Sequence, residues 1–179
     1  MTKDLTTGKI MPILVNFTVP LVLGNLFQLT YNAVDSIIVG HFVGKEALAA
    51  VGICNPISTL MILFLNGLCM GASILMGIQY GAKDYETLHR QISTTMLSGV
   101  IFSFFLTLVC VIFAVPILLL LQVDPSIMEM TRQYLRIIFL GLIFTFLYNF
   151  LSSTLRALGD SASPLYFLII SAVLNIFGD

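Results

Sequence analysis

The sequence predicts an all-α integral membrane protein, a polytopic helix bundle, on three observations. Of its 179 residues 58% are hydrophobic and only 9% are charged, whereas soluble domains carry roughly 25% charged residues. Too few charges are available to cover a water-facing surface, so lipid is the solvent that fits. The apolar residues also gather in long runs, on the scale of the about 20 residues a helix needs to cross a hydrocarbon core about 30 Å thick. Finally, charges and turn formers gather between those runs rather than within them.

Five spans follow in order. The first covers about residues 10–43, broken only by Asp35 and His41, and the second covers about 51–80. The third covers about 92–121 and the fourth about 134–155. The fifth begins near Pro164 and is still apolar at Asp179. A helix over residues 164–179 rises only about 22 Å, so the fifth span is expected to be incomplete. The chain therefore reads as the front portion of a longer protein. Between the spans stand GHFVGKEA, GAKDYETLHRQ, QVDPSIMEMTRQ and RALGDSASP. Pro125 and Pro164 suit first-turn helix positions, where a missing N–H costs nothing. The segment Ser126–Arg136 is amphipathic and is expected at the outer surface ahead of the fourth span, with Arg132 and Arg136 reaching lipid headgroups.

Lysine and arginine set the expected orientation. With the amino terminus cytoplasmic, Lys3, Lys9, Lys83, Arg90 and Arg156 lie inside and Lys45, Arg132 and Arg136 outside, a bias in the direction of the positive-inside rule. A plasma-membrane, multi-pass protein is expected. The first apolar run is too long for a signal peptide. Three GxxxG pairs, Gly40/Gly44, Gly67/Gly71 and Gly77/Gly81, permit close helix approach. Cys54, Cys69 and Cys110 lie in apolar runs without a CxxC partner and read as small packing residues.

Chemistry concentrates on the first and fifth spans. Asn25, Gln28, Asn32 and Asp35 are spaced i, i+3, i+7 and i+10, on one helical face. A carboxylate within a span costs about 2.5–3.5 kcal/mol even on the lenient insertion scale. It needs a polar cavity, an ion or a proton to offset that cost. Asn175 and Asp179 repeat the pattern at i, i+4. By axial rise, Asp35 and Asp179 both fall in the outer half of the bilayer, and Tyr134 can reach the same level. Such oxygen donors suit a proton or a hard cation better than a transition metal. Pro20, inside the first span, should kink it and is a hinge candidate. No nucleophile–base pair and no Walker-type phosphate loop is visible, so neither catalysis nor ATP drive is expected. A net charge of −1 points to no nucleic-acid partner.

Three stretches, residues 20–52, 71–91 and 155–179, resemble the multidrug and toxic compound extrusion (MATE) family of antiporters. They carry the first-span Asp35 ahead of GHFVG, and the turn RALGDSASP leading into the fifth span. The resemblance implies twelve spans in two lobes around a central cavity, of which this chain supplies five, the last incomplete, of the N-terminal lobe. It implies export of cationic or amphipathic organic compounds in exchange for Na⁺ or H⁺, with no other cofactor or metal. It assigns ion coupling to Asp35, Asn175, Asp179 and Tyr134, the substrate cavity to Gln28, Asn32 and Asn149, and the hinge to Pro20. A further threonine ligand of some members sits on a sixth span, beyond this chain. The expected partners are a small organic substrate, membrane lipid and the missing C-terminal lobe. Two alternatives stand beside this reading. One is a lipid-linked oligosaccharide flippase of the same superfamily, which the scarcity of Lys and Arg in the spans disfavours. The other is an inactive truncated remnant.

Overall fold

The computed structural model describes residues 10–178, except for the side chains of Tyr31, Asp35, Ser36, Val39, Phe42 and residues 175–178. Six α-helices follow one another: α1 Ile10–Ile38, α2 Lys45–Gly81, α3 Tyr85–Leu120, α4 Pro125–Leu140, α5 Leu142–Ala157 and α6 Ala162–Gly178. A π-helical turn, Val39–Val43, joins α1 to Gly44 and α2. Residues 10–34 of α1, α2 and α3 are each long and apolar enough to cross a membrane, and α4 with α5 makes a fourth such unit, bent by 40°. The apolar part of α6, residues 162–174, is shorter. The chain is thus a polytopic helical membrane protein.

Three of the connections share one construction. At each, a helix ends in paired hydrogen bonds that leave one residue in left-handed backbone, and an aspartate then caps the next helix. After α2 the amides of Lys83 and Asp84 donate to the carbonyls of Tyr80 and Gln79. After α3, Gln122 and Val123 donate to Leu119 and Leu118, and after α5, Gly159 and Asp160 donate to Arg156 and Leu155. This paired set is the Schellman ending. Its left-handed position holds Lys83 (φ 58°), Gln122 (φ 53°) and Gly159 (φ 84°). Asp84 then accepts from the Thr87 amide (3.2 Å), Asp124 from the Ser126 amide (2.8 Å), and Asp160 from the Ala162 and Ser163 amides (3.1 and 3.0 Å). These bonds satisfy helix-start donors that would otherwise have no partner.

At these three connections caps, not hydropathy, therefore set where the next helix begins. α2 begins ahead of the apolar run, with Lys45 and Glu46 in its first turn, and α3 begins at Tyr85 behind the Asp84 cap. Pro125 opens α4 and Pro164 lies in the first turn of α6, as their chemistry predicts. The fourth span departs from expectation. Ser126–Arg136 is not a separate surface segment but part of α4, which runs on to Leu140. Its buried stripe Thr131, Leu135 and Phe139 continues past the arginines and holds the helix together. The break falls instead at Gly141, between α4 and α5. Pro20 lies inside α1 without ending it. Its ring denies the Asn16 carbonyl a helical donor, yet the helix runs on to Ile38.

The chain forms two compact units. The first takes α1 up to Asp35, residues 70–92 and residues from 151 onward. There Gly24 of α1 lies against Leu165 and Leu168 of α6. Gly77 of α2 faces the Ala157 carbonyl, and the Thr154 hydroxyl lies 3.7 Å from Met76 Sδ. Gln91 Nε2 of α3 donates to the Ala72 carbonyl of α2 at 3.3 Å. The second unit takes residues 36–69 and 93–150. Its core includes Cys54, Leu65, Leu118, Leu135, Phe139, Phe146 and Phe150. Cys54 Sγ approaches the Thr131 carbonyl, Cys110 Sγ approaches Met61 Sδ, each at 3.7 Å, and Phe64 meets Phe102 with ring centroids 5.9 Å apart.

The expected role of the GxxxG pairs does not hold for most of their members. A Cβ on Gly44, Gly67, Gly71 or Gly81 would meet nothing within 4 Å. The glycine that does allow close approach is Gly99 of α3. A Cβ there would come 2.0 Å from Phe146 Cζ of α5.

Candidate functional site

The polar face of α1 is the site element that the structure describes most fully. α1 is regular α-helix from Ile10 to Ile38, so Asn25, Gln28, Asn32 and Asp35 do share one side of it. The side chains of Asn25, Gln28 and Asn32 are exposed. Around them the helix exposes Leu23, Leu26, Phe27 and Leu29, the last 66% exposed. A narrow amide row thus runs along a mostly apolar helix. Thr30 returns its hydroxyl to the Leu26 carbonyl at 2.9 Å and adds nothing to that row.

Asp35 lies in the last turn of α1, directly ahead of the π turn, and Asn175 lies in the last turn of α6. The side chains of Asp35 and Asn175, and the whole of Asp179, are outside the described residues. Asp35 and Asn175 belong to the first compact unit, as do Pro20, Gln28 and Asn32. Tyr134 and Asn149 belong to the second. Tyr134 is half-buried on α4. Asn149, half-buried on α5, donates Nδ2 to the Thr145 carbonyl of its own helix at 2.8 Å. That bond leaves its Oδ1 as the group open to a second partner.

Two features escape a reading of the sequence. Val39–Val43 is π-helical, and single π turns in longer helices collect at functional sites. In the sequence GHFVG reads only as a connection. Its glycines, one of them (Gly44) at φ 109°, are the available signal. Buried polar atoms without hydrogen-bond partners are the second feature: Gln79 Oε1 and Gln91 Oε1 in the first unit, Thr107 Oγ1 in the second. They sit in apolar or loop-adjacent sequence with no pattern to mark them. Asp160, in the connection before α6, is 6% exposed. Burial raises its carboxyl pKa, but the Ser163 amide and hydroxyl (2.8 Å to Oδ2) contribute most to overcoming that and bring it to about 2.

The fold defines a class, that of polytopic helical membrane proteins. Comparison with known proteins narrows it. The MatE family profile matches residues 20–179, and the chain belongs to that family. It is 38% identical over 160 residues to the probable multidrug resistance protein YoeA of Bacillus subtilis strain 168, covering 89% of this chain and 35% of that protein. It is 34% identical over 179 residues to the probable multidrug resistance protein YpnP of the same organism, covering 96% and 39%. The chain spans a little over a third of the length of these relatives. A crystal structure of a MATE mutant superposes with a TM-score of 0.89 at 24% identity, over 97% of this chain and 39% of that one. An outward-facing multidrug resistance MATE transporter superposes with a TM-score of 0.77 at 25% identity, over 92% and 36%.

Proposed function

We propose that the chain is the N-terminal lobe portion of a cation-coupled antiporter that exports organic cationic or amphipathic compounds across the plasma membrane. The observation that carries the proposal is the exposed amide row of α1, Asn25, Gln28 and Asn32, leading to Asp35 within a membrane-spanning helix. Amides and a carboxylate facing lipid would cost several kcal/mol. A water-filled cavity that admits polar substrate removes that cost. The names of the curated relatives, multidrug resistance and multidrug export proteins, support the same direction.

In this reading Asp35, Asn175 and Asp179 hold the coupling ion, Na⁺ or H⁺, as a transported substrate. Tyr134 joins them by its sequence register. Gln28, Asn32 and the free Oδ1 of Asn149 face the exported compound, and Pro20 is the hinge of α1. An anionic carboxylate at Asp35 accepts the ion on one side, and loss of that charge favours the other conformation. The amino terminus is cytoplasmic, by the lysine and arginine distribution. The chemistry is transport, and no residue is given a catalytic role.

The test is Asp35→Asn in the full-length transporter, reconstituted in vesicles with an imposed Na⁺ or proton gradient. The expected result is loss of gradient-driven export of a fluorescent organic cation with insertion and thermal stability unchanged. Export at the wild-type rate from the variant would overturn the assignment of Asp35. Whichever gradient drives the wild type identifies the ion.

A further inference from the structure

We propose that Arg132 and Arg136 of α4 form a binding site for the phosphodiester of an anionic lipid headgroup. The proposal rests on the membrane placement of α4 and does not depend on transport. Glu129, Arg132, Gln133 and Arg136 recur at i, i+3, i+4 and i+7 and share one face of α4. The adjoining face, Thr131, Leu135 and Phe139, is buried at 0–1% exposure. The polar face borders this core, with Arg132 and Arg136 half-buried and Glu129 and Gln133 exposed.

Charge on this face is unbalanced. Glu129 Oε1 accepts from Arg132 Nη2 at 2.8 Å and from Gln133 Nε2 at 2.9 Å. That carboxylate is matched by Arg132 alone. Arg136 forms no ion pair among the described residues. Its Nε, and that of Arg132, are buried against the chain without a hydrogen-bond partner, so an outside anion would be met by the Nη groups. One guanidinium charge on this helix is thus left for an outside anion. A guanidinium beside hydrocarbon is costly unless paired, and its planar fork matches two oxygens of a phosphate.

Depth favours a lipid as the source of that anion. Helix α4 starts at Pro125 behind the exposed Asp124 cap. Arg132 and Arg136 lie about 10 and 16 Å along the axis from there. Helical side chains lean toward the helix amino terminus, so both guanidinium groups reach back toward the interface. Met130, Ile137 and Leu140 flank the arginine face, at 42, 69 and 58% exposure. They offer apolar surface for acyl chains beside the phosphate site. A free phosphate would use the arginines but not that surface.

The experiment is native mass spectrometry of the detergent-purified full-length transporter, equilibrated with equal amounts of phosphatidylglycerol and phosphatidylcholine of matched acyl chains. Wild type should retain phosphatidylglycerol in preference, and Arg136→Gln should lower that retention about tenfold while leaving phosphatidylcholine unchanged. Arg136→Lys, which keeps the charge but not the fork, should fall between. Equal retention of the two lipids by wild type, or unchanged retention in Arg136→Gln, would overturn the proposal. Displacement of phosphatidylglycerol by inorganic phosphate at submillimolar concentration would overturn the lipid source in favour of a soluble phosphate. If Arg136→Gln does not fold, Glu129→Gln serves instead. Freeing Arg132 should raise phosphatidylglycerol retention, and a fall or no change would refute the site.

Discussion

Gly99 is the position at which packing in the second unit is most sharply testable. A methyl group there would overlap the tip of the Phe146 ring, 2.0 Å from Cζ. Phe146 is 3% exposed and stacks on Phe150, with centroids 5.8 Å apart and planes 22° apart. Overpacking a core by one methyl costs about 1–3 kcal/mol. Replacing a helical glycine by alanine returns about 0.5–1 kcal/mol of backbone entropy. Gly99→Ala should therefore destabilise by a net of up to about 2.5 kcal/mol. Gly71→Ala is the matched control, because a Cβ there meets nothing within 4 Å. It should be neutral or stabilising by up to about 1 kcal/mol. Stability would be read as thermal or denaturant unfolding in detergent, together with the double variant Gly99→Ala/Phe146→Ala. Removing the ring should abolish the penalty of the added methyl, giving a coupling of about 1–3 kcal/mol. Additive effects, or Gly99→Ala behaving like Gly71→Ala, would refute the close packing of α3 on α5.

Other outcomes follow from the helix ends. Gln122→Gly should stabilise by about 0.5–1 kcal/mol in the same unfolding assay, because glycine occupies left-handed backbone without the Cβ penalty that Gln122 bears. Asp160→Asn keeps an acceptor for the start of α6 but loses the charge-assisted bonds from Ser163. It should lower the unfolding temperature at pH 7. The Asp160 carboxyl titrates at about 2, below its unfolded value of about 3.9. Its contribution is present in full above about pH 4 and is lost as pH falls toward 2. The wild-type advantage over Asp160→Asn should shrink across that window, and a constant difference would refute it. Removing the π turn by deleting one residue of Val39–Val43 should rotate Asp35 relative to α2 by about 100°. Gradient-driven export by the full-length transporter should then fall, while insertion persists. Unchanged export would show that the turn has no bearing on Asp35.

How much of this is legible in the sequence depends on the range of the interactions involved. The membrane class, the order of the helices and the polar face of α1 follow from composition and local period alone. Charges are too few for a water surface, and the spacing of Asn25, Gln28 and Asn32 fixes their side of any α-helix. Asp84, Asp124 and Asp160 are visible as turn signals, and each caps the helix that follows it. Hydropathy misplaces the helix ends: α2 and α3 begin at charged first turns, and for α3 the Asp84 cap satisfies a backbone donor whatever the polarity of the next residue.

Longer-range features belong to the tertiary structure. GxxxG spacing marks glycines on a common face, but whether a neighbour comes close depends on a different helix. Gly67 and Gly71 are open while the isolated Gly99 meets Phe146. The run through Ser126–Arg136 looks like a surface segment because its polar face is strong. The burial of Thr131, Leu135 and Phe139 makes it one helix with the residues up to Leu140. The same packing leaves the Arg136 Nε without a partner. By itself the sequence determined which residues are polar and where they recur along each helix. Only tertiary structure decided which of them are satisfied, because a hydrogen bond or a ring contact between helices needs two distant segments to arrive at one place.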